Sequence, residues 1–550
     1  MIEGVSRNRA HRVVLAATAL LFVARAALAF LRTGPVVVAD ETGYLTNARI
    51  FSGGLPGQMA NAPFYRGGYS LLITPLVAIA HDPLTAYRLV LVANAALAAS
   101  LVPATYLLLR RCLGAHPGEA AWAAIAAGMY PSVTAFSQGA LSENALLPLT
   151  ALWLLALGIA AGPVSARARF LATAATAALA GALLLVHGRM IAAVGVTVIA
   201  FVALGALRRL RTLDLVAGFM TLVGALLVVR TVDAYLVRRN YAGPRPNEAS
   251  QRLSNLEHVH GLAAAARNLV GQSWYVVAAT LGVVVLAGLT LSARDAAARL
   301  RRGEPGALVV AAATLTALAL LVATALSFPD LERPDMLVYG RYVEIIVPPL
   351  VAASLLRLLR VGIRRIGLAI TIIAVSTAVT AILQATLGPK AAANGWDVAS
   401  LPFLTLDVRP AAIVGAGIVA GVCTLVVAQL ARRHILLVAP TVALLFVGPA
   451  LEAEHASVLA SQHSVYPAGW TSPRAAASRA TEIGYDAAHR SGLFVNEWFL
   501  PDARIILFRG TPRTRYVISS ADWGRSHAAL KPRLVWRDTG HDRAMFVLAR

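Results

Sequence analysis

Two adjacent carboxylates, Asp40 and Glu41, stand in the stretch Val38-Ala39-Asp40-Glu41-Thr42-Gly43-Tyr44, a few residues beyond a long apolar run. Holding two like charges together at the end of such a run is costly. The arrangement suits a general base or a ligand for a divalent cation. A solvated loop pair is the competing reading. A second acid, Glu143, occurs in Ser142-Glu143-Asn144 close to Ser137 and Gln138, at the start of another apolar run. An ionisable group in that position marks either a functional site or a side chain that simply reaches water. Arginine supplies the complementary chemistry, because its guanidinium binds phosphate oxygens bidentately. The candidates are Arg189 in His187-Gly188-Arg189, Arg341 in Tyr339-Gly340-Arg341-Tyr342, and Arg333 in Glu332-Arg333-Pro334-Asp335. Ion pairing, of Arg333 with Asp330 or of Arg341 with Glu344, is the alternative. His258 and His260 read as surface residues rather than metal ligands, and no phosphate-cradling glycine loop or nucleophile elbow is present.

The elements that must position these residues are membrane-embedded. The 550 residues are 58% hydrophobic and 14% charged, whereas a soluble domain has about 25% charged residues. The net charge of +22 would suggest nucleic-acid binding in a soluble chain. Here the charge is nearly all arginine, with only Lys390 and Lys531 besides, and it sits in short clusters between apolar runs. That pattern orients a membrane protein, and no nucleic-acid partner is expected. Two cysteines, Cys112 and Cys423, provide neither a disulfide framework nor a metal cluster.

A helical span needs roughly 20 apolar residues. On that measure thirteen spans begin near residues 13, 84, 119, 141, 168, 189, 214, 269, 306, 342, 365, 410 and 434. With the N-terminus in the cytoplasm, the short-loop clusters fall on one side: Arg110 and Arg111, Arg167 and Arg169, Arg208 to Arg211, Arg294 to Arg302, Arg357 to Arg365, and Arg432 and Arg433. This satisfies the positive-inside rule, with Arg238 and Arg239 the exception. The loops carrying Asp40, Glu143, Arg189 and Arg341 then face outward. The stretch 69 to 81 is too short to span and reads as an interfacial helix. Ala27-Leu28-Ala29 could pass for a signal-peptidase site, but the many spans that follow favour retention of the first helix. Residues 452 to 550 change to mixed charge and alternating apolar runs, with strands expected at 504 to 508 and 515 to 519. The expected architecture is an all-α, multi-pass plasma-membrane domain over 1–451 followed by a small extracytoplasmic α/β domain over 452–550.

Several motifs together resemble the GT-C superfamily of polytopic membrane glycosyltransferases, the group that contains protein O-mannosyltransferases and aminoarabinose transferases. They are Asp40-Glu41 after the first span, Phe64-Tyr65-Arg66-Gly67-Gly68-Tyr69 leading into the interfacial helix, and Leu84-Thr85-Ala86-Tyr87-Arg88-Leu89 opening the next span. Ser142-Glu143-Asn144 and Tyr339-Gly340-Arg341-Tyr342 with Pro348-Pro349 extend the likeness, which covers most of residues 10 to 360. The sequence departs from the family in having Gly67-Gly68 where a Pro-rich segment is common, and in lacking a proline after Arg189. The resemblance implies inverting transfer of a sugar from a polyprenyl-phosphate donor to a glycan, lipid or protein acceptor on the outer face. It implies Asp40 as catalytic base, Glu41 as its assistant or as a divalent-cation ligand, and Arg341 and Arg189 as holders of the departing phosphate. Arg66, Tyr339 and Glu143 would line the substrate site. A transporter or flippase for a lipid-linked or small polar substrate is the main rival, since buried charge also marks a transport pathway.

Overall fold

The computed structural model describes residues 2–37, 39–59, 63–241, 254, 256–290, 293–327, 334–358, 363–387, 394–405, 408–433, 435–490, 492–538 and 542–549. Arg333, Asp330 and Arg360 lie outside the described residues. The first ten helices are α1 (Ile2–Ala29), α2 (Asp40–Phe51), α3 (Gly67–Ile79), α4 (Pro83–Cys112), α5 (Pro117–Gly128), α6 (Pro131–Ser137), α7 (Glu143–Ala161), α8 (Ala166–Val186), α9 (Ile191–Ala206) and α10 (Thr212–Asn240).

Ten helices among the described residues are long and apolar enough to cross a membrane, against the thirteen expected, so the chain is a multi-pass membrane protein with fewer uninterrupted spans. The run near 119 is divided into α5 and α6 by Pro131, which cannot donate a backbone hydrogen bond. Arg25, buried on α1, fills the break by donating from Nη2 to Gly128 O at 2.5 Å and to Thr134 Oγ1 at 3.2 Å. The run near 269 forms the helix Val259–Ala279, with His260, Arg267, Asn268 and Gln272 along its length. A reversal through Leu281 (φ 52°) and Gly282 (φ 71°) separates it from Val283–Gly288. The run near 342 opens with turns instead of helix, leaving nine helical residues, Val347–Leu355. α3 has 13 residues, too few to span the bilayer, in keeping with an interfacial helix.

Close packing rests on small residues, as expected where lipid removes the hydrophobic drive between helices. Gly68 lies against the backbone of Leu185 and Val186, so a Cβ there would need α3 to move away from α8. At α4, Asp82 accepts from the N–H groups of Leu84 and Thr85, both at 3.0 Å, and caps the helix that begins at Pro83. α4 starts at the end of the bundle that holds Asp40 and finishes at Arg110 and Arg111. α7 starts there with Glu143, and α8 returns there at Val186. The cluster residues Arg111, Arg299 and Arg357 come together around a cavity at the opposite end.

The last long helical run passes residue 451. After Ile435–Ala453 it continues through a π-helical turn (Glu454–Leu459) and Ala460–Val465. Glu454 on that turn forms an ion pair with buried Arg32, tying the loop after α1 to the last helix. The tail carries a five-stranded sheet: β1 (Glu482–Asp486), β2 (Arg504–Phe508), β3 (Tyr516–Ser520), β4 (Arg533–Asp538) and β5 (Arg543–Val547). The order is β2-β1-β3-β5-β4, with β1 parallel to β2 and β3, and β5 antiparallel to β3 and β4. The expected strands 504–508 and 515–519 correspond to β2 and, one residue displaced, β3. The tail packs on α2: Arg49 Nη1 donates to Glu497 O at 3.2 Å, and Gln58 N donates to Glu497 Oε1 at 2.8 Å.

Candidate active site

α2 begins at Asp40 on an unusual backbone. Ala39 has φ 77° and ψ −46°, a conformation that costs a non-glycine residue of order 1–3 kcal/mol and persists only where neighbours enforce it. Glu41 is the enforcer. Its Oε2 accepts the N–H groups of Val36 and Val37 at 2.6 and 2.7 Å, and its Oε1 accepts Tyr87 Oη at 2.8 Å and Ala140 N at 2.6 Å. Burial raises the pKa of Glu41, and these four donors work against that rise. The turn before α2 is thereby fastened to α4 and to the segment before α7.

Asp40, one residue earlier, keeps a side chain 28% exposed, whereas Glu41 is fully buried. Asp40 Oδ1 accepts Tyr65 Oη at 2.9 Å. The Tyr65 ring lies directly on Gly43, where any Cβ would overlap it, so glycine at 43 is what lets the hydroxyl reach the carboxylate. Burial first, and the nearby Asp40 charge next, push the Tyr65 phenol well above its usual pKa. It therefore remains a proton donor to Asp40 at all physiological pH.

The other Asp40 oxygen, Oδ2, accepts from Arg341 Nη1 at 2.6 Å, and Arg341 Nε donates to Glu143 Oε1. One guanidinium thus bridges the two acids that the sequence singled out separately. Arg341 is held by backbone contacts, since Gly340 N and Arg341 N both donate to Asp397 O at 2.9 and 3.2 Å. Burial alone would weaken its charge, but Glu143 and Asp40 outweigh that and hold the Arg341 pKa well above its ordinary value. Glu344, the nearest acid in sequence, is turned elsewhere and accepts Tyr275 Oη at 2.5 Å. Ser142 Oγ accepts Tyr44 Oη at 2.9 Å and lies 3.3 Å from Glu143 Oε2.

Arg189 sits on the three-residue 3₁₀ turn Gly188–Met190 between α8 and α9. Its guanidinium carbon stands 3.4 Å from the centre of the Tyr342 ring, a cation–π contact. The same ring packs against His187 and Tyr339, with centroids 5.2 and 5.1 Å away. Burial first, then Arg189 and Arg341, push the His187 pKa down to about 3, so the imidazole is neutral. Its Nδ1 accepts Arg189 N at 3.2 Å, which leaves Nε2 carrying the proton. Arg66 pairs with Asp233 at 2.9 Å and lies beside Gly188, on the approach to the same turn.

Asp40, Glu143 and Arg341 therefore meet directly, and Arg189 and Tyr339 join them through Tyr342. Arg66 borders the site. Glu41 does not share it: all four of its bonds are to protein donors. The donor set does not fit a divalent cation held by Asp40 and Glu41 together, because Asp40 is engaged by Arg341 and Tyr65. Among the described residues no group of three or more His, Cys, Asp or Glu could hold a metal ion. The parts not assigned from sequence are Tyr65 and Tyr342, each adjacent to one of the candidate arginines. Their proximity to Arg66 and Arg341 in sequence was the available signal.

No family model matches this sequence, and no curated protein matches it. Solved structures do match. ArnT from Cupriavidus metallidurans bound to undecaprenyl phosphate aligns with a TM-score of 0.53 at 17% identity, over 96% of this chain and 97% of that one. Its apo structure gives 0.50 at 16% identity over the same shares. The likeness spans nearly the whole of both chains, helical part and tail together, and this chain has the fold of those ArnT structures.

Proposed function

We propose that this protein transfers a sugar from a polyprenyl-phosphate donor to an acceptor on the outer face of the plasma membrane, with inversion at the anomeric carbon. The single observation that carries the reading is the partly exposed Asp40 carboxylate, fixed by Arg341 and Tyr65 at the mouth of a cluster of buried charge. The undecaprenyl phosphate bound to the structurally similar ArnT supports a donor of that class.

In this mechanism Asp40 takes the proton of an acceptor hydroxyl as its oxygen attacks the anomeric carbon. The bond from that carbon to the phosphate oxygen breaks, and the polyprenyl phosphate departs with the electron pair. A phosphate monoester is a good leaving group, so it needs charge stabilisation more than a proton. Arg189 and Arg66, on either side of Gly188, supply positive charge there, and Arg341 lies close by. Glu143 anchors Arg341, and Arg341 in turn aims Asp40, while Tyr339 and Tyr342 form an aromatic wall beside the sugar. The N-terminus on the cytoplasmic side and the tail outside complete the reading, because the arginine clusters then obey the positive-inside rule.

The test uses the full chain in nanodiscs with a panel of undecaprenyl-phosphate sugars and measures release of undecaprenyl phosphate. Release from at least one donor by wild type and its loss in Asp40→Asn support the reading. No release from any donor, with uptake of a lipid-linked sugar into proteoliposomes, would favour a transporter.

A further inference from the structure

A cavity of 780 Å³ opens between the tail and the membrane part, away from the Asp40–Arg341–Glu143 cluster. One wall is Thr33 on the loop after α1 and Asp82 at the start of α4; the other is tail, with Trp470, Arg474, Phe499 and Asp502. Because Asp82 caps a membrane-spanning helix, the cavity sits at the end of the bundle, at the level where a span leaves the bilayer.

Its chemistry is mixed in a particular way. Trp470 contributes a half-buried indole, backed by the buried Phe499 ring with centroids 5.1 Å apart and tilted by 55°. Ser472 and Ser478 add hydroxyls. Arg474 is 38% exposed and only loosely held, 3.7 Å from Asp502 and 3.3 Å from His81 O. The Trp470 face lies among alanine, leucine and proline side chains, with hydroxyl, carboxylate and guanidinium groups beside it that can bond several hydroxyls, a mixture that suits the C–H and O–H surfaces of a saccharide better than a phosphate.

The cavity is also wired to the catalytic loop. Thr33 N donates to Gln462 Oε1 at 3.0 Å, Gln462 Nε2 donates to Gly34 O at 2.8 Å, and Tyr466 Oη donates to Pro35 O at 2.8 Å. The Tyr466 ring then packs edge-on against Trp470 at 4.8 Å. Gly34 is required here, since a Cβ would overlap Tyr466 and Phe499. The chain that lines the cavity at Thr33 reaches Asp40 seven residues later.

We infer that this cavity is a saccharide-binding site that seats the sugar portion of the acceptor at the seam between tail and membrane domain. The inference rests on the transferase reading for the word acceptor, while saccharide binding stands independently of it. The sugar could belong to a free oligosaccharide or to a lipid-anchored glycan.

The test measures binding to wild type, Trp470→Ala and Arg474→Ala in nanodiscs by saturation-transfer NMR. The probes are maltose, hexyl maltoside and hexyltrimethylammonium. Wild type is expected to bind the sugar-bearing probes at least tenfold more tightly than either variant, with hexyltrimethylammonium failing to displace them. Binding of maltose itself points to a free oligosaccharide, and binding of hexyl maltoside alone points to a membrane-anchored glycan. Equal binding by wild type and both variants, binding of neither sugar, or displacement by hexyltrimethylammonium would overturn the proposal. In parallel, release of undecaprenyl phosphate to water, which needs no acceptor, should be unchanged in Arg474→Ala. If wild type releases undecaprenyl phosphate from no donor, with or without a saccharide acceptor, but binds sugar through Trp470, the transferase reading fails and the saccharide site stands.

Discussion

Arg341 donates from Nη1 to Asp40 Oδ2 at 2.6 Å across 301 positions of sequence, and through Nε it also holds Glu143. The pairing converts three polar residues from separate loops into one unit. The set holds one positive and two negative charges, so losing Arg341 leaves two carboxylates without their cation, whereas losing either acid leaves a one-to-one ion pair.

Arg341→Ala should therefore be strongly destabilising, by roughly 3–5 kcal/mol as for other broken buried pairs, and Arg341→Lys should retain the fold but lose the two-sided fork. Thermal melts in detergent with activity assays check this. Arg341→Lys with wild-type activity would show that the fork is not needed to aim Asp40.

Glu143→Gln tests the anchor. It should lower turnover by one to two orders of magnitude with little change in donor KM, since Glu143 acts through Arg341. A double-mutant cycle with Arg341→Lys should give strongly non-additive losses. Additive losses would mean that the two residues act separately.

Glu41 makes the opposite prediction to Asp40. Glu41→Ala leaves the N–H groups of Val36, Val37 and Ala140 and the hydroxyl of Tyr87 without their acceptor, at about 1–3 kcal/mol for each buried unpaired group before relaxation. The variant should melt earlier and be cleaved faster in the 33–40 loop by added protease. Asp40→Asn should melt like wild type and only lose activity. A Glu41→Ala protein with normal stability would contradict the role given to that carboxylate.

The tail seam carries a pH dependence. Burial pushes the pKa of Glu497 up to about 7, opposed by Arg49 and by the Gln58 N–H. The docked state thus holds a proton more tightly than the undocked one. Docking stability is full below the ordinary value of 4.5 and falls as pH rises from there through about 7. Glu497→Gln should flatten that slope. Limited proteolysis of the tail between pH 4.5 and 8 reads it directly, and a slope unchanged in Glu497→Gln would assign it to another group.

Much of this was legible in the sequence because membrane insertion imposes strong rules on composition. The apolar runs, the arginine clusters and the acids of the Asp40 and Glu143 segments all stand out against an Ala/Leu/Val background. The count of spans was not legible, because α5 and α6 read as one apolar run and only the cost of Pro131 and the inward turn of Arg25 divide them. The division of labour between Asp40 and Glu41 is suggested by the family resemblance but not by the residues themselves. Adjacent residues on a helix point about 100° apart, so one faces the site and the other the core, and only the fold says which. The ion-pair alternative for Arg341 names the wrong acid for a related reason. Glu344 is near in sequence, whereas Asp40 and Glu143 are near in space.

The most direct test compares the glycans, glycolipids and glycoproteins of the cell envelope by mass spectrometry in cells lacking the protein, re-supplied with wild type or with Asp40→Asn at matched expression. General-base removal is expected to cost a factor of about 10² to 10⁴. The predicted result is a defined sugar modification that disappears on deletion, returns with wild type and does not return with Asp40→Asn. Full restoration by Asp40→Asn would contradict the assignment of Asp40 as catalytic base and, with it, the proposed transferase mechanism.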